Sequence, residues 1–262
     1  MHACCYCISC IVVAAGLMKI FAIFGLFALV VLACGAPTEE RVENDPELTA
    51  GFYEGDIVLD VQRNGLKSPA KRWPGGIVYY KFTHQNQIRQ GMNIIESVSC
   101  IKFEEATTDT TAYVRITSNG NGCYSSVGYT GRVQDYNLEY YPLNKGCFRL
   151  GTIVHELLHT LGFYHMQSTS NRDDFVHIAE ENILTNTERN FNKYSENIVD
   201  NFGEEYDYGS VLHYSPYAFS KNGLKTIIAL REDIDSAKNM GQRDGLSDID
   251  IRKLNKMYCN AV

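Results

Sequence analysis

The sequence predicts an α+β protein in which strands come first and helices with long loops follow. The β-branched and aromatic residues of segment 77–82 and the alternating pattern of segment 112–118 are typical of strands. Segment 152–162 places apolar residues at helical spacing, and a long stretch with little periodicity comes after it. Segment 247–259 closes the chain with another helical pattern. A chain of 262 residues is long enough for one or two domains with a buried core.

The N-terminal part of the chain has the pattern of a targeting segment. Residues 18–35 contain a lysine, then a long apolar run, then small residues, which is the layout of a secretory signal peptide. This predicts a signal peptide over 1–35, with Met18 as an alternative start. A membrane anchor is the competing interpretation, because residues 11–34 are long enough to span a bilayer. Lys19 interrupts that span, so secretion without stable membrane association is the preferred prediction.

Charge separates the next segment from the main domain. The whole chain has a net charge of −7, and most of the excess acid lies before residue 64. Residues 36–63 are acidic and poor in core-forming side chains, which predicts a tether or pro-segment that leans on the domain of residues 64–262. No basic stripe is present to neutralise phosphates, so nucleic acid is not an expected partner.

The first elements of the main domain follow from periodicity. Segment 77–82 is predicted as a strand, and segment 86–98 as an amphipathic helix, since its apolar residues recur at helical spacing. Segment 112–118 is predicted as a second strand. Segment 120–128 is predicted as a turn that leads into a further short strand. Sheet-forming sequence therefore precedes the centre of the chain.

The two later helices have recognisable ends. Helix 152–162 is apolar at its periodic positions and ends at Gly162, a residue type that commonly terminates helices. Helix 247–259 begins at Ser247, which can cap the first turn, and two aspartates follow near the positive N-terminal end. Long loops are predicted between these two helices.

The segment HELLHTLGFYH, which begins at His155, carries the clearest chemistry. His155 and His159 are four residues apart, so a helix places both imidazoles on one face, where they suit two ligands of a zinc ion. Glu156 lies beside the first ligand and can take a proton from a metal-bound water. Gly162 allows the chain to turn with positive φ, which brings His165 back as a third ligand.

A structural zinc site is the plainer interpretation of this cluster. Structural sites more often use cysteines and fill all four coordination positions with protein ligands. Three histidines with an adjacent glutamate leave one position for water, which is what hydrolysis needs. The pattern therefore favours a catalytic zinc ion, one per catalytic domain, and a hydrolase.

The cysteines agree with an oxidising compartment. Nine cysteines occur, and five of them lie in the predicted leader. Removal of that leader leaves Cys100, Cys123, Cys147 and Cys259, an even number suited to two disulfides. Four cysteines allow three pairings, and spacing alone does not choose among them.

Several blocks, the histidine segment among them, resemble the astacins, a family of metzincin zinc proteases. The blocks are HELLHTLGFYHMQSTSNRDDFVHI (155–178), YDYGSVLHYSPYAFS (206–220) and RWPGGIVYY (72–80), and the likeness runs from about Tyr53 to the C-terminus. The resemblance implies a metzincin-like catalytic domain with two lobes. The N-terminal lobe would hold a twisted mixed sheet and two helices, including the active-site helix. The C-terminal lobe would consist mostly of loops with a terminal helix.

The resemblance also implies roles for individual residues. His155, His159 and His165 would bind zinc, and Glu156 would act as general base and later as proton donor. Tyr214 matches a tyrosine that stabilises the tetrahedral oxyanion, where a phenol donor adds to the Lewis acidity of zinc. The implied function is a secreted zinc endopeptidase that hydrolyses proteins or peptides.

Latency and disulfide pairing are implied in the same way. YEGD (53–56) is similar to a pro-segment block whose aspartate occupies the open zinc position, which makes Asp56 the candidate zymogen switch. Arg63 followed by Asn64 resembles the site at which an activating protease releases the mature enzyme. The family pairs its first domain cysteine with its last and its second with its third, which here gives Cys100–Cys259 and Cys123–Cys147.

Besides Tyr53, which replaces the phenylalanine of the pro-segment block, four residues depart from the family pattern. Met166 stands where the family usually has a glutamate that helps to anchor the trimmed N-terminus, and Thr169 and Asn171 replace charged residues nearby. Leu212 replaces the methionine of the Met-turn, and its similar volume should preserve that turn. These departures motivate a second hypothesis, a secreted binding or toxin-like module on a protease scaffold with lost turnover.

Overall fold

The structure is a computed structural model that describes residues 45–59, 68–81, 86–231 and 235–259. All four ranges belong to the same structural unit. The predicted signal peptide over 1–35 and the predicted cleavage site at Arg63 and Asn64 lie outside the described residues. The domain boundaries at residues 35 and 63 therefore stay predictions.

A six-stranded sheet forms the centre of the N-terminal lobe. Its strands are β1 (Ile57–Val58), β2 (Ile77–Lys81), β3 (Lys102–Glu105), β4 (Val114–Thr117), β5 (Cys123–Ser126) and β6 (Gln134–Leu138). The strand order is β1-β5-β6-β4-β2-β3, and the neighbours are parallel except for the antiparallel pair of β5 and β6. Three predicted strands correspond to β2, β4 and β5. The sheet is mixed, as predicted.

Two helices pack against each other beside this sheet. They are α2 (Asn86–Val98) and α3 (Leu150–Leu161), and their bounds lie within two residues of the predicted ones. Gly91 of α2 permits a close approach, since a Cβ there would lie 2.6 Å from Cγ2 of Ile153. Within the described ranges, none of the helices combines the length and the apolar composition that crossing a bilayer requires.

Residues 45–59 of the predicted pro-segment pack against this domain. Helix α1 (Pro46–Thr49) is capped by Asp45, whose carboxylate accepts a hydrogen bond from the N–H of Glu47 at 3.1 Å. β1 extends the sheet parallel to β5, with Ile57 opposite Ser125. Ile57 is fully buried. The segment therefore obtains its order from the domain that it covers.

The C-terminal part consists mostly of loops and 3-10 turns. It contains a small antiparallel sheet of β7 (Val176–Ile178) and β8 (Ile227–Ala229), followed by the terminal helix α4 (Asp248–Tyr258). Ser247 and Asp250 form a capping box at the start of α4, because each side chain accepts a hydrogen bond from the other residue's N–H. The predicted loop-rich lobe with a terminal helix is confirmed.

Two hydrophobic clusters correspond to the two lobes. The first joins the sheet to α2 and α3, and the second lies in the C-terminal part. Leu212 belongs to the first cluster, whereas Met166 and Tyr214 belong to the second. The segment that follows the histidine helix therefore lies where the two clusters meet. This arrangement confirms an α+β fold with two lobes.

Two disulfides join distant parts of the chain. Cys100 is bonded to Cys259 with a Cα–Cα distance of 5.6 Å, and Cys123 to Cys147 with a distance of 5.5 Å. This pairing is the one that the astacin resemblance implies. It is also one of the three pairings that spacing alone left open.

Candidate metal centre

The end of α3 brings three histidines together. His155 and His159 lie one turn apart on this helix. Gly162 ends it with a φ of +106°, and the N–H of Gly162 donates to the carbonyl of His159 at 2.7 Å. This left-handed residue turns the chain, so that His165 returns to the point that the two helical histidines face.

Four side chains converge at this point. Asp56, His155, His159 and His165 each offer one ligand atom, and these atoms all lie within 4.8 Å of one another. Nε2 of His155 is 3.0 Å from Nε2 of His159 and 3.3 Å from Nε2 of His165. A tetrahedral zinc ion with ligands at about 2.0–2.1 Å requires ligand separations of roughly 3.3 Å. The cluster therefore fits one zinc ion.

The outer nitrogens of the three rings are held by other groups. Nδ1 of His155 and Nδ1 of His159 face backbone carbonyl oxygens at 2.8 and 2.7 Å. Nδ1 of His165 lies 2.7 Å from Oε2 of Glu54. With a proton on each Nδ1, the three Nε2 lone pairs point at a common centre. A cation at that centre compensates their mutual repulsion, so the chemistry of the donors also fits a metal ion.

Asp56 is the fourth donor and comes from the predicted pro-segment. Its Oδ2 lies 3.1 Å from Nε2 of His155 and 3.3 Å from Nε2 of His165, and its side chain is buried. Burial opposes ionisation, but the imidazoles of His165 and His159 hold the pKa of Asp56 well below its usual range. The carboxylate is therefore charged, as a zinc ligand must be.

The same surroundings act on the histidines in different ways. Burial lowers the pKa of His155 to about 4, so its ring is neutral and able to bind a metal ion. Burial also acts to lower the pKa of His165, but the carboxylates of Asp56 and Glu54 raise it to about 9. Metal binding at His165 therefore releases a proton.

Glu156 lies next to the first histidine in sequence but outside the group of donors. It is fully buried, and among the described residues neither of its carboxylate oxygens has a hydrogen-bond partner. Burial raises the pKa of Glu156 well above its usual range, and the negative charges of Asp56 and Glu47 raise it further. A buried carboxyl with two free oxygens beside the donors is suited to proton transfer.

Tyr214 approaches the donors from the C-terminal lobe. Its ring centroid lies 4.6 Å from that of His165, and its hydroxyl donates to the backbone carbonyl of Glu54. Leu212, at the position of the Met-turn, is buried, and its carbonyl accepts the N–H of Met166 at 3.1 Å. The turn is formed with leucine at this position, and the backbone carbonyl of Glu54 holds the phenol of Tyr214.

Two further carboxylates of the predicted pro-segment, which sequence analysis missed, bind at this site. Glu54 accepts a hydrogen bond from Oγ of Ser168 at 2.8 Å in addition to its contact with the third histidine. Glu47 forms a buried ion pair with Arg243, with Nε to Oε2 at 2.8 Å, and also accepts from Oγ1 of Thr152 at 2.7 Å. The sequence carries no signal for either role, because acids in a charged segment ordinarily face solvent.

The chain is similar to known proteins along most of its length. Residues 65–259 match the family model described as Astacin, a peptidase family. Seminal metalloprotease 1 of Drosophila melanogaster is 46% identical over 226 residues, which cover 82% of this chain and 89% of the fly protein. Zinc metalloproteinase nas-4 of Caenorhabditis elegans is 35% identical, with coverage of 83% and 72%. Among solved structures, the chain resembles High choriolytic enzyme 1, a hatching enzyme zinc-protease from Oryzias latipes, with a TM-score of 0.62. The two sequences are 32% identical, and the match covers 72% of this chain and 92% of that chain.

The mixed sheet, the histidine helix and the cluster of three histidines with one aspartate define a zinc-dependent metallopeptidase, a hydrolase of peptide bonds. The family match extends over most of the chain, and the fly relative is similar over nearly its whole length. The chain belongs to the astacin family of zinc metalloendopeptidases. Its cofactor is therefore one zinc ion, and its substrates are proteins or peptides. Family membership disfavours the alternative of a binding module without turnover.

Proposed function

We propose that this chain is the zymogen of a secreted zinc endopeptidase, held latent by Asp56 in the fourth coordination position. The observation that carries the proposal is the Asp56 carboxylate, which lies 3.1 Å from Nε2 of His155 where the histidines converge. A carboxylate is a good zinc ligand, so it would exclude the water that hydrolysis requires. On this basis residues 36–63 are the pro-segment and residues 64–262 are the catalytic domain.

The site residues divide into metal ligands and proton-transferring groups. His155, His159 and His165 would hold zinc, which supplies Lewis acidity to the peptide carbonyl and acidifies a water molecule. Glu156 would take a proton from the attacking water and later give it to the leaving amine. Tyr214 would donate its phenolic hydrogen to the oxyanion, once the pro-segment carbonyl that now accepts it has left. Departure of the pro-segment would thus open the metal position and release the phenol together.

Strand β5 offers the surface on which a substrate would lie. β1 now lies along this strand, and the N–H of Ser125 donates to the carbonyl of Asp56 at 3.0 Å. Removal of the pro-segment would expose the backbone groups of β5, which can then pair with an extended peptide beside the metal. Proteins or peptides with an extended segment are therefore the expected substrates.

Secretion and activation complete the proposal. The apolar leader over 1–35 would direct export and then be removed. The two disulfides support an oxidising compartment, and the fly relative carries the name Seminal metalloprotease 1, which is consistent with a secreted protein. An activating protease would cut after Arg63, so that the mature enzyme begins at Asn64.

The Glu156→Ala variant tests the central role in this mechanism. After trimming between Arg63 and Asn64, the zinc-loaded wild-type protein should cleave casein or gelatin, and a chelator should stop the reaction. The trimmed Glu156→Ala protein should still bind one zinc ion per chain, but its hydrolysis rate should fall by a factor of about 100 to 10,000 or more. The measurements are cleavage rate and zinc content on the same samples.

The Glu180→Ala variant is a matched control, because it removes an exposed carboxylate of the C-terminal lobe. It should retain both zinc and activity. Full activity in Glu156→Ala would refute the assignment of the general base. A trimmed wild-type protein that binds no zinc, or that binds zinc and cleaves no protein, would refute the proposed function as a whole.

A further inference from the structure

One of the three ligand histidines differs from the others in what holds its outer nitrogen. The rings on α3 are held by backbone carbonyl oxygens of Val211 and Phe163, which belong to the catalytic domain. The ring of His165 is held instead by the carboxylate of Glu54, at 2.7 Å from Nδ1. Among the groups that the pro-segment brings to the centre, Asp56 faces the metal position and Glu54 lies behind a ligand histidine.

Glu54 makes more contacts than blocking of the metal position alone would require. Its side chain is fully buried, and its two carboxylate oxygens are used separately, by Nδ1 of His165 and by Oγ of Ser168. Its N–H donates to Oδ1 of Asn190 at 3.1 Å, and its carbonyl accepts the hydroxyl of Tyr214. Both carboxylate oxygens thus have partners on the segment that follows the histidine helix.

The backbone at Glu54 is strained, which points to a role for the side chain. Phe52 and Gly55 pair across a tight turn, and Glu54 is the third residue of that turn with a φ of +50°. Glycine is the residue that such a position favours, since a Cβ is disfavoured at positive φ. Strain of this kind is retained where a side chain has a task that glycine does not perform.

We propose that Glu54 is a positioning residue of the metal centre, which fixes the ring of His165 so that the pro-segment retains the zinc ion as well as blocking it. A carboxylate behind a ligand histidine orients the ring and increases its basicity, and removal of such partners typically weakens metal binding about 10- to 100-fold. The inference rests on the proposed function, because it takes the histidine cluster as the zinc site and residues 36–63 as a removable segment.

The consequence concerns the time between export and activation. While the pro-segment is in place, Asp56 would serve as a fourth zinc ligand and the carboxylate of Glu54 would lie behind His165. When the segment leaves, the ring of His165 has to accept a weaker partner such as water. The intact chain should therefore keep its zinc ion under conditions in which the trimmed enzyme loses it.

The test measures the rate at which the intact, zinc-loaded chain loses zinc to an excess of a chromogenic chelator. Wild type is compared with two variants of Glu54. Glu54→Gly relaxes the strained φ and removes the carboxylate, whereas Glu54→Gln keeps a neutral carbonyl acceptor of the same reach. We expect wild type to release zinc slowest, Glu54→Gln several-fold faster, and Glu54→Gly about 10-fold or more faster than wild type. A merely structural role predicts the opposite for glycine, which suits the turn better. Any other order of the three rates overturns the inference.

The Asn190→Ala variant controls for a loosened pro-segment. It removes the acceptor of the Glu54 N–H and leaves the contact with His165 in place. Its zinc-release rate should stay within about two-fold of wild type, and a rate equal to that of Glu54→Gly overturns the inference.

Cobalt provides a second readout that needs no activity. In the cobalt-substituted intact chain, the visible absorption bands should change in Glu54→Gly and stay as in wild type in Asn190→Ala. An unchanged spectrum in Glu54→Gly counts against the inference. A wild-type chain that binds no zinc rejects the proposed function itself, whereas a zinc-binding wild type with an unaffected Glu54→Gly rejects only the role of Glu54.

Discussion

At Gly162 the chain adopts a φ of +106°, and this residue directs His165 back toward the helix. Gly162→Ala places a Cβ at positive φ, so we expect a loss of about 1–2 kcal/mol in the free energy of unfolding and weaker zinc binding. Gly203→Ala is the control, because Gly203 also has a positive φ, at +70°, and a Cβ there meets open space. Urea unfolding and zinc titration of both variants provide the measurements. Equal zinc affinity in the two variants would contradict the role assigned to Gly162.

Some residues of the metal site can be predicted from the sequence, and others cannot. His155, His159 and His165 could be predicted because helical spacing and one glycine bring them together within eleven positions. Glu54 and Glu47 could not, since their partners His165 and Arg243 lie 111 and 196 positions away in the chain. Only the folded structure distinguishes these buried acids from solvated ones.

Attachment of residues 45–59 to the rest of the domain should depend on pH through Glu47. Arg243 holds the pKa of Glu47 at about 2, against the effect of burial, compared with 4.5 for an ordinary glutamate. His155, Asp56 and Asp45 are the other charged or titratable groups near this carboxylate. A lowered carboxyl pKa contributes stability that is complete above pH 4.5 and is lost as the pH falls toward 2. A shift of this size corresponds to about 3 kcal/mol.

Glu47→Gln isolates this contribution. At pH 7 the intact variant should be less stable than wild type by about 3–5 kcal/mol, because it leaves Arg243 buried without its anion. The difference should shrink as the pH falls from 4.5 toward 2, where Glu47 becomes protonated in wild type as well. Urea unfolding of wild type and variant at a series of pH values measures this difference in stability. A difference that stays constant over this range would show that the ion pair is not the source.

Helix α4 contains a buried ammonium group. Lys253 is 7% exposed, its Nζ lies 3.2 Å from Sδ of Met166, and burial lowers its pKa. Lys253→Met should raise the free energy of unfolding by about 1 kcal/mol or more, because a charge is replaced by an apolar chain of similar length. Lys256→Met, on the same helix, removes an exposed lysine that pairs with Glu204 and should change stability by less than about 1 kcal/mol.

Thermal unfolding of the two α4 variants checks this prediction. Lys253→Met should increase the melting temperature by about 2–4 °C for each kcal/mol gained. A melting temperature below that of wild type would mean that the ammonium of Lys253 stabilises the C-terminal lobe.

The elements themselves were predictable to different degrees. α2, α3 and α4 were predicted to within about two residues, because apolar periodicity, Gly162 and Ser247 define them locally. β3 was not predicted, since only one of its four side chains is buried. β7 and β8 have three residues each, too few for a periodic signal, and their pairing with each other defines them.

At the scale of the whole molecule, the two disulfides should contribute unequally. Cys100–Cys259 spans 159 positions and Cys123–Cys147 spans 24. On the chain-entropy model, replacing the first pair by serine should lower the free energy of unfolding by about 5 kcal/mol. Replacing the second pair should lower it by about 3 kcal/mol. Urea unfolding of the two double variants measures the difference. A larger loss of unfolding free energy on removal of Cys123–Cys147 would show that loop entropy does not determine how much these disulfides stabilise the fold.

The order of the strands is a whole-molecule property that the sequence did not reveal. Local patterns predicted β2, β4 and β5, but they contain no information on which strands become neighbours. The parallel placement of β1 beside β5 joins a segment before the catalytic domain to a strand nearly seventy positions later. Only the packing of the complete chain selects that neighbour.

The bond between Cys100 and Cys259 turns most of the catalytic domain into a covalent ring. A backbone cut inside this ring opens a loop but releases no fragment until the sulfurs are reduced. The bond between Arg63 and Asn64 lies outside the ring, so a cut there would free the proposed pro-segment as a separate peptide. Electrophoresis with and without reductant would therefore distinguish maturation from damage in a single preparation.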